Sequence, residues 1–283
     1  MAIPKGHYDP TTIADQLKIV SGSANYSTTD DTVSALATPS ISGLHVLLNS
    51  GNDTYIGAFT GTGIWHNIAN GNQGLDSLRG SINSRDYLRG GKDSDTISGE
   101  FGGNDMLFGD NADDTITASK NGQCIMRGGK DNDTLRGGDK RDLLIGDFGK
   151  DILTGDHASL IPGTSSDFFV LRTDKGSGPS ANLDNLSANA ALVDEITDYD
   201  PSDYVILPGI NNQAEIEITR AGVKHVIKVM RDGKKLFAGV INAVPDESKI
   251  IVGSLADQIY EAGNGNAIAF SQSPTLLDSF NLA

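Results

Sequence analysis

From Gly71 to Thr154 the chain repeats a nine-residue unit, and this repeat limits the possible folds more than any other feature. The blocks read GNQGLDSLR, GGKDSDTIS, GDNADDTIT, GGKDNDTLR, GGDKRDLLI and GDFGKDILT. Each opens on a glycine-rich turn, reaches an aspartate at its sixth position and places a large aliphatic residue two positions later. Glycine at the head of a block lets the backbone take positive φ and expose its carbonyls. The last three residues are enough only for a short strand, whose single apolar side chain points inward. Two turns and two strands close one coil of about 18 residues, and such coils stack with their strands parallel.

The chemistry of the turns points to a hard cation. Each supplies exposed backbone carbonyls and one carboxylate, and calcium takes about six to eight oxygen ligands, so two stacked turns can cage an ion. The net charge of −15 follows the same logic, because much of the acid lies at the sixth position. Bound calcium offsets that repulsion and couples folding to the metal. The acidic balance also disfavours nucleic acid and anionic membrane surfaces as partners. Hydrophobic residues are 37% and aromatics 6%, little for a conventional core but sufficient where ions and backbone ladders share the work.

The pattern G-G-x-G-x-D-x-U-x resembles the RTX, or haemolysin-type, calcium-binding repeat. The resemblance implies an all-β fold, a parallel β-roll, and several Ca2+ ions. It also implies export by type I secretion with an uncleaved C-terminal signal, hence a secreted, extracellular or cell-surface location. The N-terminal stretch MAIPKGHYDPTTIADQLKIV lacks the apolar region of a cleavable signal, and no run reaches the length of a membrane span. The single cysteine, Cys124, excludes an intramolecular disulfide.

Spacing divides the repeat into two columns. The sixth positions after Asp53 are Asp76, Asp86, Asp95, Asp105, Asp114, Cys124, Asp133, Asp142, Asp151 and Asp167. Successive turns of a roll lie on opposite edges, so Asp76, Asp95, Asp114, Asp133 and Asp151 form one column and Asp86, Asp105, Cys124, Asp142 and Asp167 the other. The turns GSINSRD, GEFGGND and ASKNGQC, each with one residue inserted, all fall in the second column. The first column is therefore expected to hold ordered calcium, and the second, padded and interrupted by a thiol, to bind it weakly in its upper sites. Cys124 is read as a plain buried or turn cysteine, and Asp93 and Asp131, at position four, as residues that tolerate left-handed geometry.

The expected inward residues are Leu78, Leu88, Ile97, Leu107, Ile116, Met126, Leu135, Leu144 and Leu153. Arg79, Arg89, Arg127 and Arg136, one position later, are expected to face solvent. Residues 1–47 read as an N-terminal cap segment, with a degenerate turn and strand at Thr29–Val33. Residues 48–175 read as the calcium-binding roll, whose blocks around Gly57 to Asn70 keep the apolar Ile64 but lose their acids. Residues 176–283 read as a small antiparallel β-sheet cap plus a tail for secretion or assembly, ending SPTLLDSFNLA. The hairpin signal is Asp232-Gly233 between alternating segments. Asp194 to Leu207 resembles the segment that follows RTX repeats in secreted proteins, with Tyr199 in place of phenylalanine. Its Asp194, Asp198, Asp200 and Asp203 offer carboxylates for a further calcium near the end of the roll, or else form a solvated acidic turn.

Enzyme signatures are missing where they would be sought. None of His7, His45, His66, His157 and His225 lies in H-E-x-x-H, and no G-x-S-x-G occurs. About 47 residues precede the repeats, little room for a catalytic domain. The expectation is a non-enzymatic calcium-binding protein whose rigid roll serves a surface or matrix role, alone or with copies of itself in a layer or filament. The alternative is an adhesin, recognising surface polysaccharide or protein through the 155–166 loop or the C-terminal sheet. An unfamiliar hydrolase in the end domains is the third reading.

Overall fold

The computed structural model describes residues 23–34, 45–57, 67–82, 84–156, 165–173 and 184–263. Most of the expected N-terminal cap, the Ile64 block, most of the 157–166 insertion and the SPTLLDSFNLA tail lie outside these described residues.

The repeat closes into a roll of two facing parallel sheets. One contains β1 (Ser23–Asn25), β3 (His45–Leu47), β5 (Asn67–Gln73), β7 (Asp86–Lys92), β9 (Met106–Asn111), β11 (Ile125–Lys130), β13 (Leu143–Phe148), β15 (Phe168–Val170), β17 (Tyr204–Ile206) and β21 (Ile250–Ile251), in that order. The other runs β2 (Thr32–Ser34), β4 (Thr54–Ile56), β6 (Ser77–Arg79), β8 (Thr96–Ser98), β10 (Thr115–Thr117), β12 (Thr134–Arg136), β14 (Ile152–Thr154) and β16 (Asp194–Ile196). The chain alternates between them, so each coil adds one strand to each sheet. The ladders extend beyond residues 48–175 at both ends, since β1 and β2 stack on β3 and β4, and β16 and β17 on β14 and β15.

Register follows the repeat. Leu78, Ile97, Ile116, Leu135 and Leu153 pair in line down one sheet. Leu88, Leu107, Met126 and Leu144 do so down the other. All nine are at most 1% exposed and pack between the sheets. Each insertion in the second column is absorbed in its turn, leaving the inward set intact.

The two sheets differ on their outer faces. On the second, position seven carries Ser77, Thr96, Thr115 and Thr134, with Arg79 and Arg136 exposed as expected. On the first, an apolar layer of Tyr87, Met106, Phe108, Ile125, Leu143, Ile145 and Phe168 is buried, and α1 (Ser254–Ala262) packs there through Ala256, Ile259 and Tyr260. The outward placement expected for Arg89 and Arg127 is therefore corrected: both point away from the inner core but are buried, at 5% and 1% exposure. Each pairs with an aspartate one coil on, Arg89 with Asp110 and Arg127 with Asp147. Asp147 also accepts from Arg172 Nη1 at 3.0 Å and from the Tyr260 hydroxyl at 3.1 Å. Burial works to raise the Asp147 carboxyl, but the Arg127 and Arg172 guanidiniums outweigh it and hold it below the usual carboxylate range.

At the C-terminal end β18 (Ile216–Ala221), β19 (Lys224–Arg231) and β20 (Lys234–Ile241) form the expected antiparallel unit. Asp232 and Gly233 both have positive φ, 52° and 74°, as a two-residue hairpin turn requires. The unit continues the second sheet, because β20 pairs in parallel with β16.

Candidate metal centre

The turns of the first column share one backbone conformation. In each, positions two and four have positive φ: Asn49 and Gly51, Asn72 and Gly74, Gly91 and Asp93, Asp110 and Ala112, Gly129 and Asp131, Asp147 and Gly149. Asparagine and aspartate tolerate this region better than other side-chain-bearing residues, which explains their recurrence where glycine is absent. Position one needs glycine for a separate reason. A Cβ on Gly90, Gly109, Gly128 or Gly146 would collide with the Oδ2 atom of the position-six aspartate of its own turn, Asp95, Asp114, Asp133 or Asp151. The repeat thus keeps a space in front of one carboxylate oxygen.

The other carboxylate oxygen is used to stack the coils. Along the first edge each position-six amide donates to the Oδ1 of the aspartate one coil on, beginning with Asp31 to Asp53 at 2.7 Å and Asp53 to Asp76 at 2.8 Å. The chain of bonds continues through Asp95, Asp114, Asp133 and Asp151 at 2.7–2.8 Å and ends on Asp194 at 3.1 Å. The Oδ2 atoms of Asp53, Asp76, Asp95, Asp114, Asp133, Asp151 and Asp194 are buried without any hydrogen-bond partner. An unmatched buried carboxylate oxygen is costly, and a row of them marks places where a cation completes the structure.

The second edge carries the same Oδ1 ladder: Asp86 N–H to Asp105, Cys124 N–H to Asp142, Asp142 N–H to Asp167 and Asp167 N–H to Asp203, at 2.6–2.9 Å. Here the Oδ2 atoms have protein partners. Asp86 Oδ2 accepts from the Ser81 amide at 2.7 Å, and Asp142 Oδ2 from the Gly138 amide at 2.6 Å. Asp105 Oδ2 meets the Ser119 hydroxyl, and Asp167 Oδ2 that of Ser165 at 3.1 Å.

Burial is the leading cause of raised carboxyl pKa values on both edges. It pushes Asp76 and Asp114 up to about 7, Asp95 to about 8 and Asp133 to about 10, against the stabilising backbone bonds. Asp105, Asp142 and Asp167 are raised well above the ordinary value for the same reason. Desolvation therefore does not separate the edges; hydrogen-bond satisfaction does.

The remaining expected positions are distributed rather than gathered. Asp194 ends the first edge and Asp203 ends the second. Asp198 accepts from the Gly155 and Asp156 amides at 2.8 and 2.9 Å, and Asp200 from the Ser202 amide at 2.6 Å. Among the described residues no three His, Cys, Asp or Glu side chains form a cluster suited to a metal. Cys124 is fully buried, and burial raises its thiol well above the usual range. Two members of the edges were not among the expected metal positions: Asp31, in the degenerate turn at Thr29–Val33, and Asn67, which opens β5 with an amide side chain and donates to Asp86 Oδ1 at 2.6 Å.

Comparison with known proteins agrees with this geometry. Residues 70–103, 83–116 and 127–156 match the family model of the RTX calcium-binding nonapeptide repeat. No curated protein matches the chain. RTX nonapeptide repeats bind Ca2+, and the glycine cradles, orphaned carboxylate oxygens and stacked parallel coils found here suit that ion. Residues 70–116 and 127–156 are thus similar to RTX calcium-binding nonapeptide repeats, and they lie within a parallel β-roll.

Proposed function

We propose that this chain is a secreted, non-enzymatic protein whose roll is made rigid by calcium and serves a structural role at a cell surface or in an extracellular matrix. The observation that carries the reading is the row of orphaned Oδ2 atoms along one edge of the roll. Asp53, Asp76, Asp95, Asp114, Asp133 and Asp151 would each give that oxygen to an ion, and the carbonyls of adjoining turns would supply the rest. Calcium then neutralises carboxylates that otherwise repel one another across the coils. Sensor-class sites of micromolar affinity stay empty at resting cytosolic calcium, so a roll of this kind suits an extracellular setting. The stacked coils act as a stiff spacer, and the C-terminal antiparallel unit and the first coils are the natural contacts with neighbours.

The test is circular dichroism with light scattering during a calcium titration, reversed by chelator. β signal and thermal stability are expected to rise with calcium and fall on chelation. Full β signal and unchanged melting in chelator would overturn the metal-coupled fold. Particle growth with calcium supports assembly into a layer or filament, and a monomer at every calcium concentration removes the self-assembly part of the reading.

A further inference from the structure

We propose that calcium is confined to one edge of the roll, in the turns ending at Asp53, Asp76, Asp95, Asp114, Asp133 and Asp151, and that the opposite edge is closed by the protein's own donors. This rests on the calcium reading above and deepens it. It includes the turn 48–53, which has Leu48 at position one and lies outside the residues matched by the family model, but keeps the positive-φ pair, at Asn49 and Gly51, and the orphaned oxygen on Asp53.

The argument is one of occupied ligands. On the first edge the position-six carboxylates are at most 3% exposed, and their Oδ2 atoms have no donor. On the second edge the inserted residues bring serine hydroxyls to the places an ion would fill. Ser84 Oγ lies 2.6 Å from Asp86 Oδ1 and 2.7 Å from Ser81 Oγ, and Asn67 Nδ2 donates to the same carboxylate. Ser119 is fully buried and bridges Asp105 Oδ2 to the Gly99 carbonyl, with Oγ 2.8 Å from that carbonyl oxygen. The hydroxyl sits between a carboxylate and a carbonyl oxygen, the two kinds calcium would require, and its one proton is shared between them or serves one at a time. One coil further, Cys124 replaces the carboxylate altogether, its Sγ 3.7 Å from the Gly103 carbonyl oxygen. A neutral thiol is a poor ligand for a hard cation. Ala118 stands at position one of that turn, where the other second-edge turns have Gly80, Gly99, Gly137 and Gly155. Among the described residues of the second-edge turns 80–86, 99–105, 118–124 and 137–142, the positive-φ pair at positions two and four occurs in one turn, at Glu100 and Gly102 before Asp105. The least closed place is the turn 137–142, where Asp142 Oδ2 has only the Gly138 amide and Asp139 Oδ1 has no donor.

Native mass spectrometry of the full calcium-saturated chain counts the ions directly. Asp95→Asn and Asp114→Asn are each expected to lose at least one ion, whereas Asp86→Asn, Asp105→Asn and Asp142→Asn keep the wild-type number. Loss of an ion from any of the latter three, in a folded sample, overturns the proposal. Ser119→Ala provides a second arm should Asp105→Asn not fold: an unchanged ion count supports the closed edge, and a gained ion also supports it, because a hydroxyl then stood in a metal's place. A lost ion in Ser119→Ala overturns it. A wild-type chain that holds no calcium overturns the calcium reading itself, an outcome distinct from ions spread over both edges.

Discussion

The two edges of the roll use one motif in opposite ways. Both spend Oδ1 on the amide of the preceding coil, so both hold the stack together. They part at Oδ2. The first edge leaves it bare, and the second covers it with the Ser81 or Gly138 amide or the Ser119 or Ser165 hydroxyl. A buried polar atom must find a partner, and the choice between an ion and a donor of the protein itself decides whether that side of the roll depends on its surroundings.

The largest effect expected from this difference is on hydrogen exchange during partial chelation. The amides of Asp76, Asp95 and Asp114 should lose protection by on the order of tenfold before those of Asp86, Cys124 and Asp142 change. Simultaneous loss on both edges would remove the distinction. Next is the effect of acid on the chelated protein. The carboxyls of Asp76, Asp95 and Asp114 have folded pKa values raised from 3.8 to about 7 or 8, chiefly by burial. A raised value contributes stability that is complete below the unfolded pKa and is lost as pH rises through the folded one. Without calcium, melting temperature should therefore fall between about pH 4 and pH 8, and saturating calcium should flatten that slope. A chelated protein that gains stability over this range would contradict the assignment.

Smaller effects come from single side chains. Ser119→Ala leaves Asp105 Oδ2 buried without its hydroxyl and should cost about 1–3 kcal/mol in denaturant unfolding, with calcium affinity on the other edge unchanged. A parallel loss of affinity would mean that the edges are coupled. The smallest expected change has the opposite sign. Ala112 holds φ 77° in a first-edge turn, so Ala112→Gly should stabilise the calcium-loaded roll by up to about 1 kcal/mol, read as a shift in melting temperature.

Much of this was legible in the sequence because the repeat is strict. Leu78 to Leu153 recur with a fixed offset from the aspartates, and that offset alone sends them between the sheets. The asymmetry of the columns also showed in the spacing, through the three padded turns and Cys124. Its cause did not: that Ser84 and Ser119 take the place of a ligand depends on where a turn folds back, which spacing cannot state. The end of the first edge was hidden for another reason. Asp151 and Asp194 are 43 residues apart, and the intervening chain carries no repeat to preserve the register. The carboxylates of the 194–203 segment looked like one group in sequence but serve both edges and two turns in the fold.

The sequence by itself determined the roll, its inward core and the row of carboxylates, because those follow from local φ requirements and a period that each coil repeats. Only the tertiary structure decided the outer faces. Arg79 and Arg127 have the same place in their repeats, yet one is solvent-exposed and the other fully enclosed with Asp147 and Tyr260. The physical reason is that burial of an outward residue depends on what packs over it. For Arg127 that is Tyr260 of α1, 133 residues along the chain, which no repeat period reaches.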